Sequence, residues 1–112
     1  MNKSQLTSEV FKKFPTSIGD TTIRQMNGRE RLQYYAIVKK AADNPADDSD
    51  AQIIAALLVR CLANEDGSRM YRDGDTDNLI DTMSGTLADE LFIIAREFNA
   101  FKREQIDQKK TN

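Results

Sequence analysis

The sequence predicts a mainly α fold: a compact bundle of four to five helices with room for one short β-hairpin. Three observations predict it. Apolar residues recur at helical spacing in five stretches, separated by turns rich in Gly, Pro, Asn and Asp. One of these stretches, 51–63, is apolar nearly all round, so it must be covered on more than one side. The chain has 112 residues. At that length about two-thirds of the unfolded surface is buried on folding, enough for a core without metals or disulfides.

The elements follow in order. Leu6, Val10, Phe11 and Phe14 fall at helical spacing, with Ser4, Thr7 or Ser8 as a cap, and Pro15 stops this first helix. Gly19-Asp20 marks a turn, and the alternating residues Thr21 to Met26 fit a short strand or an extended lead-in. A helix is expected from about Arg29 to Ala42. Leu32, Tyr35, Ala36 and Lys39 lie on one side of it; Tyr34, Ile37, Val38 and Ala41 widen the apolar arc. An acidic loop with Pro45 leads to Ser49 or Asp50 as the N-cap of the central helix. Asn64 to Gly67 form a turn, and Ser68 to Tyr71 either pair as a strand or pack as a loop.

Asp75, Thr76 or Asp77 caps a short helix holding Leu79, Ile80 and Met83. Thr86, with Asp89 or Glu90, starts the longest helix. Its face is Leu87, Leu91, Ile94, Ala95, Phe98 and Phe101. Phe92 and Ile93 stand off that stripe; with Phe101 they either widen the core face or form an apolar patch for a partner. Residues 1–101 are thus read as one helical domain. Residues 102–112 are read as a flexible polar tail in which Ile106 is the sole apolar residue.

Composition narrows the function classes. The net charge is −2 and the sequence pI about 5.1, which argues against a dedicated nucleic-acid binder. The charge is uneven. Residues 1–40 carry eight basic groups against three acidic ones, a net of +5. Residues 41–81 carry three against ten, a net of −7. Unlike patches of this kind suit head-to-tail self-association, although two solvated faces of a monomer fit them as well. No apolar run approaches the about 20 residues of a membrane span, and no secretory leader is evident.

Nothing in the residues nominates an enzyme. The sequence has no His, which removes the commonest general base and metal ligand. Cys61, the single cysteine, sits on the apolar helix and reads as a buried structural thiol. Asp73-Gly74-Asp75-Thr76-Asp77-Asn78 has alternating carboxylates like a calcium loop. However, Asn78 and Ser84 stand where an EF-hand has Gly and Glu. A turn followed by a helix cap accounts for the same residues. No cofactor, metal or catalytic residue is expected.

The order of the segments carries a resemblance. Gly28-Arg29-Glu30-Arg31 heads a helix, and an acidic linker leads to an apolar one. Asn64-Glu65-Asp66-Gly67-Ser68-Arg69-Met70-Tyr71 follows, then Asp75-Thr76-Asp77-Asn78-Leu79-Ile80. A long helix ends in Glu97-Phe98-Asn99-Ala100-Phe101. This arrangement, over roughly residues 20–101, resembles the tail assembly chaperones of long-tailed, non-contractile bacteriophages and prophages. The resemblance implies a helical, self-associating protein of the host cytoplasm, absent from the finished virion. It implies binding to the tape measure protein, with recruitment of the tail tube protein through a longer, frameshifted form. Lys109-Lys110 marks where a slippery codon run would fall. On this reading Phe92, Ile93 and Phe101 are the candidate partner-binding residues, and neither membrane nor nucleic acid is a partner. The alternatives are a head–tail completion protein or a small nucleic-acid-binding regulator using the basic N-terminal segment.

Overall fold

A computed structural model describes residues 10–100. Two antiparallel strands come first, β1 (Phe11–Thr16) and β2 (Gly19–Arg24), in register from Phe11 opposite Arg24 to Thr16 opposite Gly19. Four helices follow: α1 (Gly28–Asp43), α2 (Ser49–Cys61), α3 (Thr76–Thr82) and α4 (Gly85–Asn99). A single 3-10 turn, Asp73–Asp75, leads into α3. The architecture is mainly α with one short hairpin.

The hairpin corrects the expected first helix. Residues 10–14 match a helical period, but Phe11–Thr16 is a strand; the earlier part of that stretch lies outside the described residues. Pro15 weighs against the helix because a helix interior loses a hydrogen bond at Pro. An edge strand tolerates it, and β1 is an edge. Gly19 supplies the positive φ of the tight turn, 101°. Ile23 then inserts completely into the core and fixes the register.

The helix caps agree with expectation at α3, where Asp75 is the N-cap, and differ at α2 and α4, while none was expected for α1. Asn27 caps α1 through a reciprocal pair: its side chain accepts from the Glu30 N–H, and Glu30 accepts from the Asn27 N–H. Asp48, not Ser49 or Asp50, is the N-cap of α2; the Ser49 hydroxyl instead accepts from the Ala46 N–H. Ser84, two residues before Thr86, caps α4 by accepting from the Leu87 N–H.

Helix α2 is the axis of the molecule. Every residue from Ala55 to Cys61 is buried, and α1, α3, α4 and β2 all pack on it. Beyond its end the chain extends the hairpin's pairing. Leu62 bridges to Ile23 and Ala63 to Arg69, so Ser68 to Tyr71 contribute a bridge rather than a full strand. Gly67 turns this segment at φ 89° with the Phe11 ring against it; a Cβ there would lie 2.2 Å from the ring. Leu91 and Ala95 face inward from α4. The rings of Phe14 and Phe98 meet edge-on at 5.1 Å and hold the hairpin to that helix.

Candidate partner-binding surface

The C-terminal end of α2 is inside the protein, which leaves its last carbonyls without water. Two arginines supply donors: Arg24 donates to the Arg60 carbonyl at 2.6 Å and Arg69 to the Val59 carbonyl at 2.9 Å. Arg60, buried on α2 itself, turns back to donate to the Ala56 carbonyl at 2.9 Å. Cations at this end also complement the helix dipole. Glu30 balances them, 2.9 Å from Arg24 and 3.2 Å from Arg69, while Asp73 pairs with Arg69 at 2.8 Å. Burial alone would raise the Glu30 carboxyl. The Arg24 hydrogen bond, the capping bond at Asn27 and the charges of Arg24 and Arg69 together hold it below its ordinary value.

Asn99 closes the same end from α4. Its side-chain oxygen accepts from the Met26 N–H at 2.7 Å, and its amide donates to the carbonyls of Ala95 and Arg24 and to the Cys61 sulfur. The Cys61 thiol is pushed up to about 12, chiefly by burial, so it stays protonated and inert. In the Asp73 to Asn78 loop the carboxylates serve the chain itself. Asp73 accepts from Arg69, and Asp75 from the Arg72 N–H. Among the described residues no group of acidic or Cys side chains is placed to hold a metal ion.

The remaining surface is what a partner can meet. Of the three residues singled out in the sequence, Ile93 is exposed, at 56%. Phe92 is half-buried against the core. Phe101 lies outside the described residues. Ile93 stands one helical turn after Asp89, which borders an apolar cleft of about 130 Å³ between α2, α3 and α4. Ile54, Leu79, Ile80, Met83 and Ala88 line that cleft. Six other large apolar side chains are exposed among the described residues, the most so Leu32 on α1, at 71%, and Ile18 at the hairpin tip, at 66%. The helical period put Leu32 on an apolar arc but did not say which side of that arc meets α2.

The charge asymmetry survives folding in part: the basic hairpin lies away from the acidic loop, but Lys40, at the end of α1, shares a cleft with Asp48. Arg24, Glu30 and Arg60 withdraw into the interior, while Lys12, Lys13, Arg29, Lys39 and Lys40 remain exposed. Asp43, Asp47, Asp48, Asp50, Asp77 and Asp81 are exposed as well. The hairpin with Lys12 and Lys13 sits by the C-terminal end of α2, and the acidic loop leads into its N-terminus. Those ends are about 20 Å apart for a helix of this length.

These features define a class of fold: among the described residues, an antiparallel hairpin and three helices packed on one central apolar helix. Among solved structures, that of the bacteriophage HK97 tail assembly chaperone has a similar fold. The TM-score is 0.64 at 13% sequence identity, and the match covers 85% of this chain and 94% of that one. No protein-family model and no curated protein sequence matches the chain. Among the described residues no helix is long and apolar enough to cross a membrane.

Proposed function

We propose that the chain is a tail assembly chaperone of a long-tailed, non-contractile bacteriophage or prophage. It binds the tape measure protein in the host cytoplasm, keeps it soluble, and is left out of the finished virion. One observation carries this reading: the fold agrees with a tail assembly chaperone over nearly the whole of both chains. Its role is not catalytic. Its partner is a long amphipathic helix, taken along α4 by Ile93 and the edge of Phe92 and into the cleft lined by Leu79, Ile80 and Met83. Several copies line up on one tape measure, the basic hairpin of one facing the acidic loop and α3 of the next. A longer form, made by frameshifting near Lys109-Lys110, brings the tail tube protein.

The test is co-expression. The chain, tagged at its N-terminus, is produced together with the tape measure protein encoded downstream of its gene. The expected result is that the tape measure becomes soluble and elutes with several copies of the chain. A folded, soluble chain beside an insoluble tape measure would reduce the likeness to one of fold. Finding the chain in purified virions would favour a completion protein instead.

A further inference from the structure

The cleft between α2, α3 and α4 is apolar inside and acidic around its mouth. Ile54, Leu79, Ile80, Met83 and Ala88 line it, and at about 130 Å³ it has room for one large side chain rather than a row of them. Asp89 stands on its rim. On α3, Asp77 lies one turn before Ile80, and Asp81 lies one turn after Asp77 on the same row. All three carboxylates are exposed, and among the described residues none is paired with a Lys or Arg. The segments that wall the cleft offer no such partner: residues 43–59 and 73–95 hold ten acidic residues and no basic one.

We propose that this cleft selects a basic amphipathic helix. One large apolar anchor enters the cleft, and Lys or Arg residues one turn to either side of the anchor meet Asp77, Asp81 and Asp89. The proposal rests on the reading that the cleft takes a helix of the tape measure protein, and it adds the chemistry of the segment taken.

Helix electrostatics alone do not account for these charges. Asp77 is in the first turn of α3, where the dipole favours a carboxylate. Asp81 is in the last turn, where the dipole opposes it, and it follows Asp77 at i,i+4, the spacing at which like charges repel. No cation in that turn offsets it. A cationic partner relieves both costs. Asp47 and Asp48 border other grooves, against α1, and so remain available to a neighbouring copy. Opposite charge around an apolar anchor gives selectivity and a fast encounter more than raw affinity. It thereby decides which stretches of a long helix are captured.

Two synthetic helical peptides test the proposal on the full chain. They share a Leu anchor and differ in its flanking residues, Lys in one and Glu in the other. The parent should bind the Lys peptide about tenfold more tightly in low salt, and the preference should shrink at about 0.5 M salt. Asp77→Asn, Asp81→Asn and Asp89→Asn together should erase the preference while circular dichroism stays native, since all three side chains are exposed. Ala88→Leu, which fills the cleft, should abolish binding of the Lys peptide. Replacing the peptide's Leu anchor by Ala should do the same without touching the protein. Equal affinity for the two peptides would overturn the proposal. So would a preference that survives in the triple variant, or binding that survives loss of the anchor. Dimers that exclude the peptide and dissolve in Ala88→Leu would also overturn it, by placing a second copy in the cleft. The role in tail assembly is separable. A tape measure protein captured equally by parent and triple variant would remove the charge selection and leave the role. An insoluble tape measure beside the expected peptide preference would remove the role and leave the selection.

Discussion

At its C-terminal end α2 is enclosed by the hairpin, the start of α1, the end of α4 and the 62–73 segment, and Arg24 and Arg69 occupy the carbonyls of Arg60 and Val59. At its N-terminal end the same helix meets α3, the start of α4 and the end of α1. There it leaves an apolar cleft open beside an acidic loop. Its N-cap, Asp48, makes no side-chain capping bond there. The contrast follows from where each helix end lies. A buried end must find protein donors for its carbonyls, since an unpaired buried group costs about 1–3 kcal/mol. An end at the surface is served by water, and its apolar flanks can remain open for a partner. Two of the chain's basic residues and one acidic residue are thereby committed to the interior.

The sharpest way to break this contrast is at Glu30. Removing the carboxylate with Glu30→Ala leaves the buried Arg24 without its counter-charge and weakens the hold on Arg69. The expected loss is about 3–5 kcal/mol in urea unfolding at neutral pH. The pH dependence gives a second reading. The Glu30 pKa is lowered from its ordinary 4.5 on folding. Its contribution is therefore complete above that value and is lost as pH falls through the depressed one. Asp73, lowered chiefly by its hydrogen bond from Arg69, acts in the same direction. The stability gap between parent and Glu30→Ala should narrow from neutral pH to about pH 3. A gap that stays constant would mean that Glu30 acts through packing rather than charge.

Asn99 tests the enclosed end with a neutral group. Asn99→Ala strands the Met26 N–H and removes the tie from α4 to β2. The expected cost is about 1–3 kcal/mol. Amide exchange should quicken at Met26, while exchange at the start of α4 keeps the parent pattern once the global loss is subtracted. Uniform quickening along α4 would show that the helix end is held by Leu91 and Ala95 alone.

The open end was easier to read from sequence than the enclosed one. Apolar periodicity located α2, α3 and α4, because in each a stripe of Leu, Ile or Ala faces the core at helical spacing. Ile93 stood out because it lies off that stripe. The hairpin was misread because Val10, Phe11 and Phe14 satisfy a helical period as well as a half-buried strand does. What decides between them is long-range: Ile23 pairing with Leu62 and the Phe11 ring on Gly67. The arginine clamp left no local signal. Arg24, Glu30, Arg60 and Arg69 look like ordinary solvated charges until the fold gathers them at one helix end. Asn99 was legible only as the Asn near the end of a long helix. Its partners lie 73 and 75 residues away at Met26 and Arg24.

The smallest effect on stability is expected at Ile93, where the open surface is tested without disturbing the clamp. Its side chain is mostly in water, so Ile93→Asp removes little packing; it adds a charge one turn from Asp89 and Glu97. Like charges at that spacing cost a few tenths of a kcal/mol, and the total change should stay within about 0.5 kcal/mol. Capture of the tape measure protein should nevertheless fall steeply, because a charge would face the apolar stripe of the incoming helix. Phe92→Asp is the matched control. Its ring packs on the core, so that variant should melt earlier whether or not it binds. A stable Ile93→Asp protein that captures the tape measure as well as the parent does would move the binding surface off α4. The exposed strip of α1 at Leu32 and Tyr35 would then be the place to substitute next.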